Sequence, residues 1–270
     1  MKFDITSDWH LNWMDNEVLR QKAYSTLVDK CCGRTEADNL IIAGDITDNL
    51  QNALEKDDLT SQFVRDVLAD VAGQYNRTFI VMGNHDYWHN KVGNEQRVRE
   101  LLKEKIGEYV TLLNFDDVVE LEENINIIGG NYWTNLEEPT KQNFAQFYMN
   151  DYRFIKDFRP EDSNRIHKEN KTFIEQTLTN NPKKTFIIVT HTSPSYSGIT
   201  PEYREQESVC CFASNDDDLF NNHKNVRAWV FGHSHESNEV WTGWKERTQL
   251  FNNAAGYRFD TNYRFKKVVV

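Results

Sequence analysis

Short apolar runs recur along the chain, and many of the stretches between them carry helical spacing. The runs Lys2–Thr6, Asn39–Ala43, Thr78–Met82, Ile125–Gly129, Thr185–Thr190 and Arg227–Phe231 predict β-strands. Between the first two, residues Asn16–Lys30 place Val18, Leu19, Ala23, Leu27 and Val28 on one side of a helix. Leu59–Val71, Val98–Ile106 and Lys171–Leu178 show the same period. The first half therefore reads βαβαβα, an α/β pattern with a largely parallel sheet. The second half is richer in strands. Tyr109–Leu113, Val118–Glu122, Gln249–Phe251 and Tyr263–Val270 suggest a meander, a second sheet packed on the first. Two stretches, 131–164 and 192–225, break this rhythm; they are aromatic, carry most of the prolines and are too long for plain connections. No repeat, low-complexity tract or linker divides the chain, so one domain spanning 1–270 is expected.

In open α/β sheets ligands bind beyond the carboxyl ends of the strands, which makes the residues after each apolar run the informative ones. Phe3–Ser7 leads into Asp8-Trp9-His10, and Leu40–Ala43 into Gly44-Asp45-Ile46-Thr47-Asp48. Phe79–Met82 leads into Gly83-Asn84-His85-Asp86, Phe186–Thr190 into His191, and Ala228–Phe231 into Gly232-His233-Ser234-His235. Five of the eight histidines sit at these exits.

Each cluster alone has an ordinary explanation. An Asp before a helix is a favoured cap, and Gly-Asp or Gly-Asn after a strand is common turn chemistry. Turn chemistry has no use for histidine, however, so five metal-competent clusters after five strands point to one site. Residues two apart on extended chain point the same way, so Asp8 with His10 is expected to chelate one ion, and His233 with His235 to serve one ion or two neighbours. Carboxylate, imidazole and amide-oxygen donors suit Mn first, with Fe, Zn, Ni or Co also compatible, rather than Ca or a thiolate-seeking metal.

The series D-x-H, G-D-x-x-D, G-N-H-D, a lone H and G-H-x-H, in this order from Asp8 to His235, resembles the calcineurin-like metallophosphoesterase superfamily. That resemblance implies a two-sheet β-sandwich flanked by helices, a four-layer αββα arrangement, with two divalent metal ions at the strand ends. By motif, Asp8, His10, Asp45 and His235 would hold the first ion. Asp45 would bridge to a second, held by Asn84, His191 and His233. His85 would stand free beside the substrate and assist attack of a metal-activated hydroxide on a phosphoester. Asp86 would orient His85, Asp48 would hydrogen-bond a ligand or cap the next helix, and Arg153 is a candidate for substrate phosphate. Further runs, Gly129–Thr134, Met149–Arg153 and Thr190–Ser195, resemble a bacterial and phage subgroup of small members.

Composition narrows the substrate. The formal charge of −11 and the lack of a Lys/Arg-rich run argue against a long nucleic-acid partner, because phosphate contacts supply most of that affinity. Two divalent ions, two carboxylates and a hydroxide would leave the site at about +1, which still suits a small phosphoester. A phosphodiester is favoured: the phosphate-binding Arg of the protein serine/threonine phosphatases is absent from Gly44–Leu50. A phosphomonoesterase or a nuclease on the same site is the alternative. A non-enzymatic scaffold, as in the retromer coat, fits poorly because no motif histidine is lost. Trp133, Phe147, Tyr148, Tyr152, Tyr196 and Tyr203 are candidates to wall the site and stack on a flat group. His89, His167 and His223 fit no motif and are expected at the surface. The opening segment has no apolar signal region, no stretch reaches membrane-spanning length, and the vicinal pairs Cys31-Cys32 and Cys210-Cys211 lack zinc or redox spacing. A cytoplasmic protein with reduced thiols is expected.

Overall fold

The computed structural model describes residues 1–32, 36–243, 247–257, 259 and 262–270. Strands β1 (Lys2–Thr6), β2 (Asn39–Ile42), β3 (Arg77–Ile80) and β4 (Val110–Leu112) pair in parallel, in that order, as the first sheet. The chain then crosses to a second sheet of β5 (Val119–Glu122), β6 (Ile125–Gly130), β7 (Thr185–Thr190), β8 (Val226–Phe231), β9 (Ser237–Thr242) and β10 (Thr248–Asn253). Its order is β5-β6-β7-β8-β10-β9, parallel from β6 through β10 with an antiparallel strand at each edge. The last strand, β11 (Lys266–Val269), returns to the first sheet antiparallel to β1. The expected meander is thus corrected. β4 and β11 join the first sheet and β5 and β10 the second, because short apolar runs specify strands but not their partners.

The central strands of both sheets are buried on both faces, which is why they read as continuous apolar runs, while the edge strands β5, β9 and β11 are partly exposed. Side chains alternate between layers. Phe3, Ile5, Ile41, Phe79, Ile187 and Val230 fill the space between the sheets. Leu40, Ile42 and Ile80 face the helices outside the first sheet, and Phe186, Ile188, Trp229 and Phe231 those outside the second.

Helix α1 (Glu17–Tyr24) widens into π-helical turns over Ser25–Cys31. With α2 (Leu50–Glu55), α3 (Leu59–Ala72) and α4 (Glu95–Lys105) it belongs to the first half. The two long stretches each hold short helices. The first holds α5 (Pro139–Tyr148), α6 (Asp151–Phe154) and the start of α7 (Pro160–Asn180). The second holds α8 (Pro201–Arg204), α9 (Val209–Phe212) and α10 (Asp217–Asn222).

Helix α7 begins well before the predicted Lys171 because its first half buries polar rather than apolar groups. Ser163 donates to the Thr134 carbonyl at 2.9 Å, and His167 Nδ1 to that of Trp133 at 2.6 Å. His167 is therefore a buried core histidine, not the surface residue expected, and its Nε2 lies 3.3 Å from Asp216. His89 is exposed and His223 half-buried. All four cysteines are free thiols, and among the described residues no helix is long and apolar enough to cross a membrane.

Candidate metal centre

The strand exits converge because their loops keep pairing after the strands end. Asp8 N donates to Gly44 O at 3.0 Å, His10 N to Asp45 O at 3.1 Å, and His191 N to Asn131 O at 3.0 Å. Asp8, His10, Asp45, His233 and His235 all take left-handed backbone, with φ of 57, 44, 56, 66 and 53°. Each such residue costs about 1–2 kcal/mol, and strain of this kind gathers at functional sites. This corrects the extended-chain picture, because Asp8 and His10 meet through left-handed turns; of the two arrangements open to His233 and His235, the structure has them in different clusters. Glycine is required where the loops crowd. A Cβ on Gly83 would lie 2.0 Å from Asp45 Oδ1, and one on Gly44, at φ +88°, 2.5 Å from His191 Nδ1.

Three groups of potential ligands result; one of them, His10 with Asp48 and His85, sits at the edge of the site, and the other two share Asp45. Ligand atoms of Asp8, His10, Asp45 and His235 lie within 4.8 Å of one another, as do those of Asp45, His191 and His233. In the first, His10 Nε2 is 3.1 Å from His235 Nε2, which is 3.4 Å from Asp8 Oδ1. In the second, His191 Nε2 is 2.9 Å from Asn84 Oδ1 and 3.3 Å from Asp45 Oδ2. Asp45 belongs to both. Its Oδ1 accepts the His85 amide at 2.9 Å, while Oδ2, 3.8 Å from His10 Nε2, is buried without a hydrogen-bond partner.

The donor set fits divalent cations. Ring nitrogens crowd one another and a carboxylate oxygen lies between the clusters with no proton donor, an arrangement that positive charge would satisfy. Neighbouring groups set the ring tautomers. His191 Nδ1 donates to Ala43 O at 2.8 Å, which turns Nε2 toward Asn84 and Asp45, and His233 Nε2 donates to Cys211 O at 3.2 Å, which leaves Nδ1 as the acceptor. Burial lowers His233 to about 3 and holds His10 well below the ordinary histidine range. Burial alone would also lower His191, but the Asp45 carboxylate outweighs it and raises the ring to about 9. Burial pulls Asp45 upward, and the surrounding histidines, His191 and His85 first, hold it well below the usual carboxylate range.

His85 stands beside these donors, its ring stacked on Trp88 with centroids 3.6 Å apart and its Nδ1 2.6 Å from Asp48 Oδ1. Asp48 is held in turn by Asn12, whose Nδ2 donates to Oδ2 at 2.8 Å and whose Oδ1 accepts the Asp48 amide at 2.8 Å. The orienting partner of His85 is thus Asp48, where the sequence reading offered Asp86. Asp86 accepts the backbone amides of Gly83 at 2.8 Å, Asp45 at 2.9 Å and Thr47 at 3.2 Å, and so ties two strand exits together. Burial and the Asp45 charge push its carboxyl up to about 7. The cap of α2 is Asn49, not Asp48.

Asp151 is buried and accepts from Asn84 Nδ2 at 2.8 Å and Trp88 Nε1 at 2.7 Å, which aims the Asn84 oxygen at His191. Arg153, by contrast, is exposed, bonds the Phe147 carbonyl at 3.2 Å and does not line the cavity over the donors. Sequence reasoning missed Asn12, Trp88, Asp151 and Tyr257 as parts of the site. Asn12 and Asp151 lay within quoted or adjacent motifs, but nothing in their spacing gives their partners.

The cavity holds about 390 Å³. Of the aromatic residues expected to wall it, Tyr148 does. Trp133 and Tyr152 pack with Phe158, Tyr196 packs near Ile199, and Phe147 and Tyr203 are exposed. The walls come instead from Trp13, Trp88, Phe212 and Tyr257.

A family model described as calcineurin-like phosphoesterase matches residues 1–237. The chain belongs to that family, and it is a metal-dependent phosphoester hydrolase. The family implies two divalent ions. Two solved structures share the fold. Phosphopantetheinyl hydrolase from Mycobacterium tuberculosis superposes with a TM-score of 0.69 at 14% identity, over 99% of this chain and 95% of that one. A dimetal phosphatase from Danio rerio superposes at 0.60 and 13% identity, over 99% and 91%. Comparison with curated proteins by sequence gave no significant match.

Proposed function

We propose that the 270 residues act as one domain hydrolysing a small phosphodiester with two Mn²⁺ ions. The observation that carries this is the pair of donor clusters sharing Asp45 at the floor of a cavity. Asp8, His10, Asp45 and His235 would hold one ion, and Asp45, Asn84, His191 and His233 the other. Bound there, the ions would draw charge from the phosphoryl oxygens and acidify water for in-line attack.

The protein's own groups do the rest. Asp45 sets the spacing of the two clusters, and Asp151 fixes the Asn84 amide. The His85 ring, held by Asp48 through Nδ1, keeps Nε2 for the substrate, where it neutralises phosphoryl charge or protonates the leaving oxygen. Among the described residues no lysine or arginine lines the cavity, which suits a singly charged diester better than a doubly charged monoester. A phosphomonoesterase is the second reading, supported by the name of the Danio rerio neighbour. The −11 charge disfavours a nuclease acting on long duplexes.

The test compares kcat/KM for bis-p-nitrophenyl phosphate, p-nitrophenyl phosphate, a cyclic nucleotide and linear duplex DNA, each with Mn²⁺. The small diesters should lead. A dominant monoester rate overturns the diester reading alone, and duplex DNA cleaved far faster than small diesters overturns the size reading.

A further inference from the structure

Three large, half-exposed aromatic side chains line the same cavity. Trp13, Tyr148 and Tyr257 are 48, 50 and 41% exposed. They form two walls. On one side Trp13 packs against Tyr257 at 4.8 Å between centroids, and Tyr257 lies 4.4 Å from the His10 ring and 4.5 Å from that of His235. On the other, Tyr148 meets Phe212 edge-on at 6.4 Å, and Phe212 lies 5.0 Å from the His233 ring. Each donor cluster thus has its own aromatic flank, and a phosphoryl group lying between them would send its ester arms toward the walls.

Trp13 is held where it is by the same turn that carries His10. Its amide donates to the His10 carbonyl at 3.0 Å, closing the short helical turn Leu11–Trp13. The Trp13 main chain is thereby tied to that of His10, and its indole packs on Tyr257. An exposed indole face beside a phosphoester site suits stacking, which every unsaturated ring accepts and an aliphatic chain does not.

We infer that Trp13, backed by Tyr257, is a stacking platform that selects phosphoesters bearing a flat unsaturated ring such as a nucleobase. This rests on the proposed hydrolase site and names its substrate class. Base–aromatic stacking is strong enough to give about a five- to hundredfold preference. The platform needs no hydrogen bonds to base edges, so purine and pyrimidine esters should both be accepted.

The experiment uses full-length Mn²⁺-loaded protein and the variants Trp13→Ala, Trp13→Phe and, as an exposed aromatic away from the cavity, Tyr203→Ala. Rates are compared for thymidine 5′-(p-nitrophenyl phosphate) and methyl p-nitrophenyl phosphate, which share a leaving group, and affinities by calorimetry for adenosine 5′-monophosphate and glycerol 3-phosphate. Wild type should prefer the base-bearing member of each pair. Trp13→Ala should shrink both preferences about five- to fiftyfold, and Trp13→Phe and Tyr203→Ala should keep most of them. Equal affinity of wild type for the two monophosphates overturns the platform, as does a Trp13→Ala loss that is the same for base-bearing and aliphatic ligands. Absence of diester turnover with the affinity difference intact overturns the diester reading and leaves the platform standing, so the two failures are distinct.

Discussion

The two donor clusters share Asp45 but are supported in different ways. Asp8, His10 and His235 come from the exits of β1 and β8, and the backbone stitching of adjacent loops arranges them: Asp8 N and His10 N bond to Gly44 O and Asp45 O, and His233 N to Asp8 Oδ1 at 3.1 Å. Asn84, His191 and His233 each lean on one of the long insertions. Asp151 at the start of α6 holds the Asn84 amide, Asn131 O accepts the His191 amide, and Cys211 O in α9 accepts from the His233 ring. One half of the centre is thus completed by the sheet's own loops and the other by segments 131–164 and 192–225. If the clusters hold metal as proposed, the insertions support one half of the site, and substitutions in them should weaken that half selectively.

The largest effect is expected at the shared residue. Asp45→Ala should take metal content below two ions per chain and lower kcat/KM by about a thousandfold or more, since it removes a donor from both clusters at once. Metal analysis and a rate measurement check this; full activity in that variant would end the shared-donor account.

Removing the general-acid candidate separates chemistry from ion binding. His85→Ala should keep both ions and lose about 10²–10⁴-fold in kcat. The loss should be larger for alkoxide leaving groups than for p-nitrophenolate, which hardly needs a proton. Equal losses across leaving groups would assign His85 to charge stabilisation instead.

The asymmetry between clusters is tested most directly at Asp151. Asp151→Ala frees the Asn84 amide, and loss of such an orienting partner typically weakens metal affinity about 10–100-fold. Two-site titration with Mn²⁺ should show one weakened step and one unchanged. Equal weakening of both steps would mean that the insertion supports the whole centre.

A smaller effect is expected behind His85. Asn12→Ala loosens Asp48 without removing any of the proposed ligands, so kcat should fall about three- to tenfold, in line with one positioning hydrogen bond. Ion affinities should hold. The smallest effect belongs to Arg153→Ala, where less than about a twofold change in kcat/KM is expected for an exposed side chain bonded to a nearby carbonyl. A tenfold loss there would bring Arg153 back as a phosphate contact.

Much of this protein is legible in its sequence because the relevant signals are local. The six apolar runs appear as strands, within a residue or two at their ends, since a strand buried on both faces must be apolar throughout. Asp8, His10, Asp45, Asn84, His85, His191, His233 and His235 stand out because each follows such a run, and histidine there has no role in turning the chain. Other features are decided only when the chain closes. Which sheet receives β4, β10 and β11 depends on pairing between distant segments, which leaves no local mark. The left-handed backbone at Asp8, His10, His233 and His235 exists because the surrounding loops hold it, against the preference of those residues. Helix α7 hides its first half by burying Ser163 and His167 against backbone carbonyls of the first insertion. The pairing of His85 with Asp48, of Asn84 with Asp151 and of His233 with Cys211 spans 37, 67 and 22 positions. Hydrogen bonds at those separations are made by the fold, so the sequence names the candidate donors while the tertiary structure chooses what aims them.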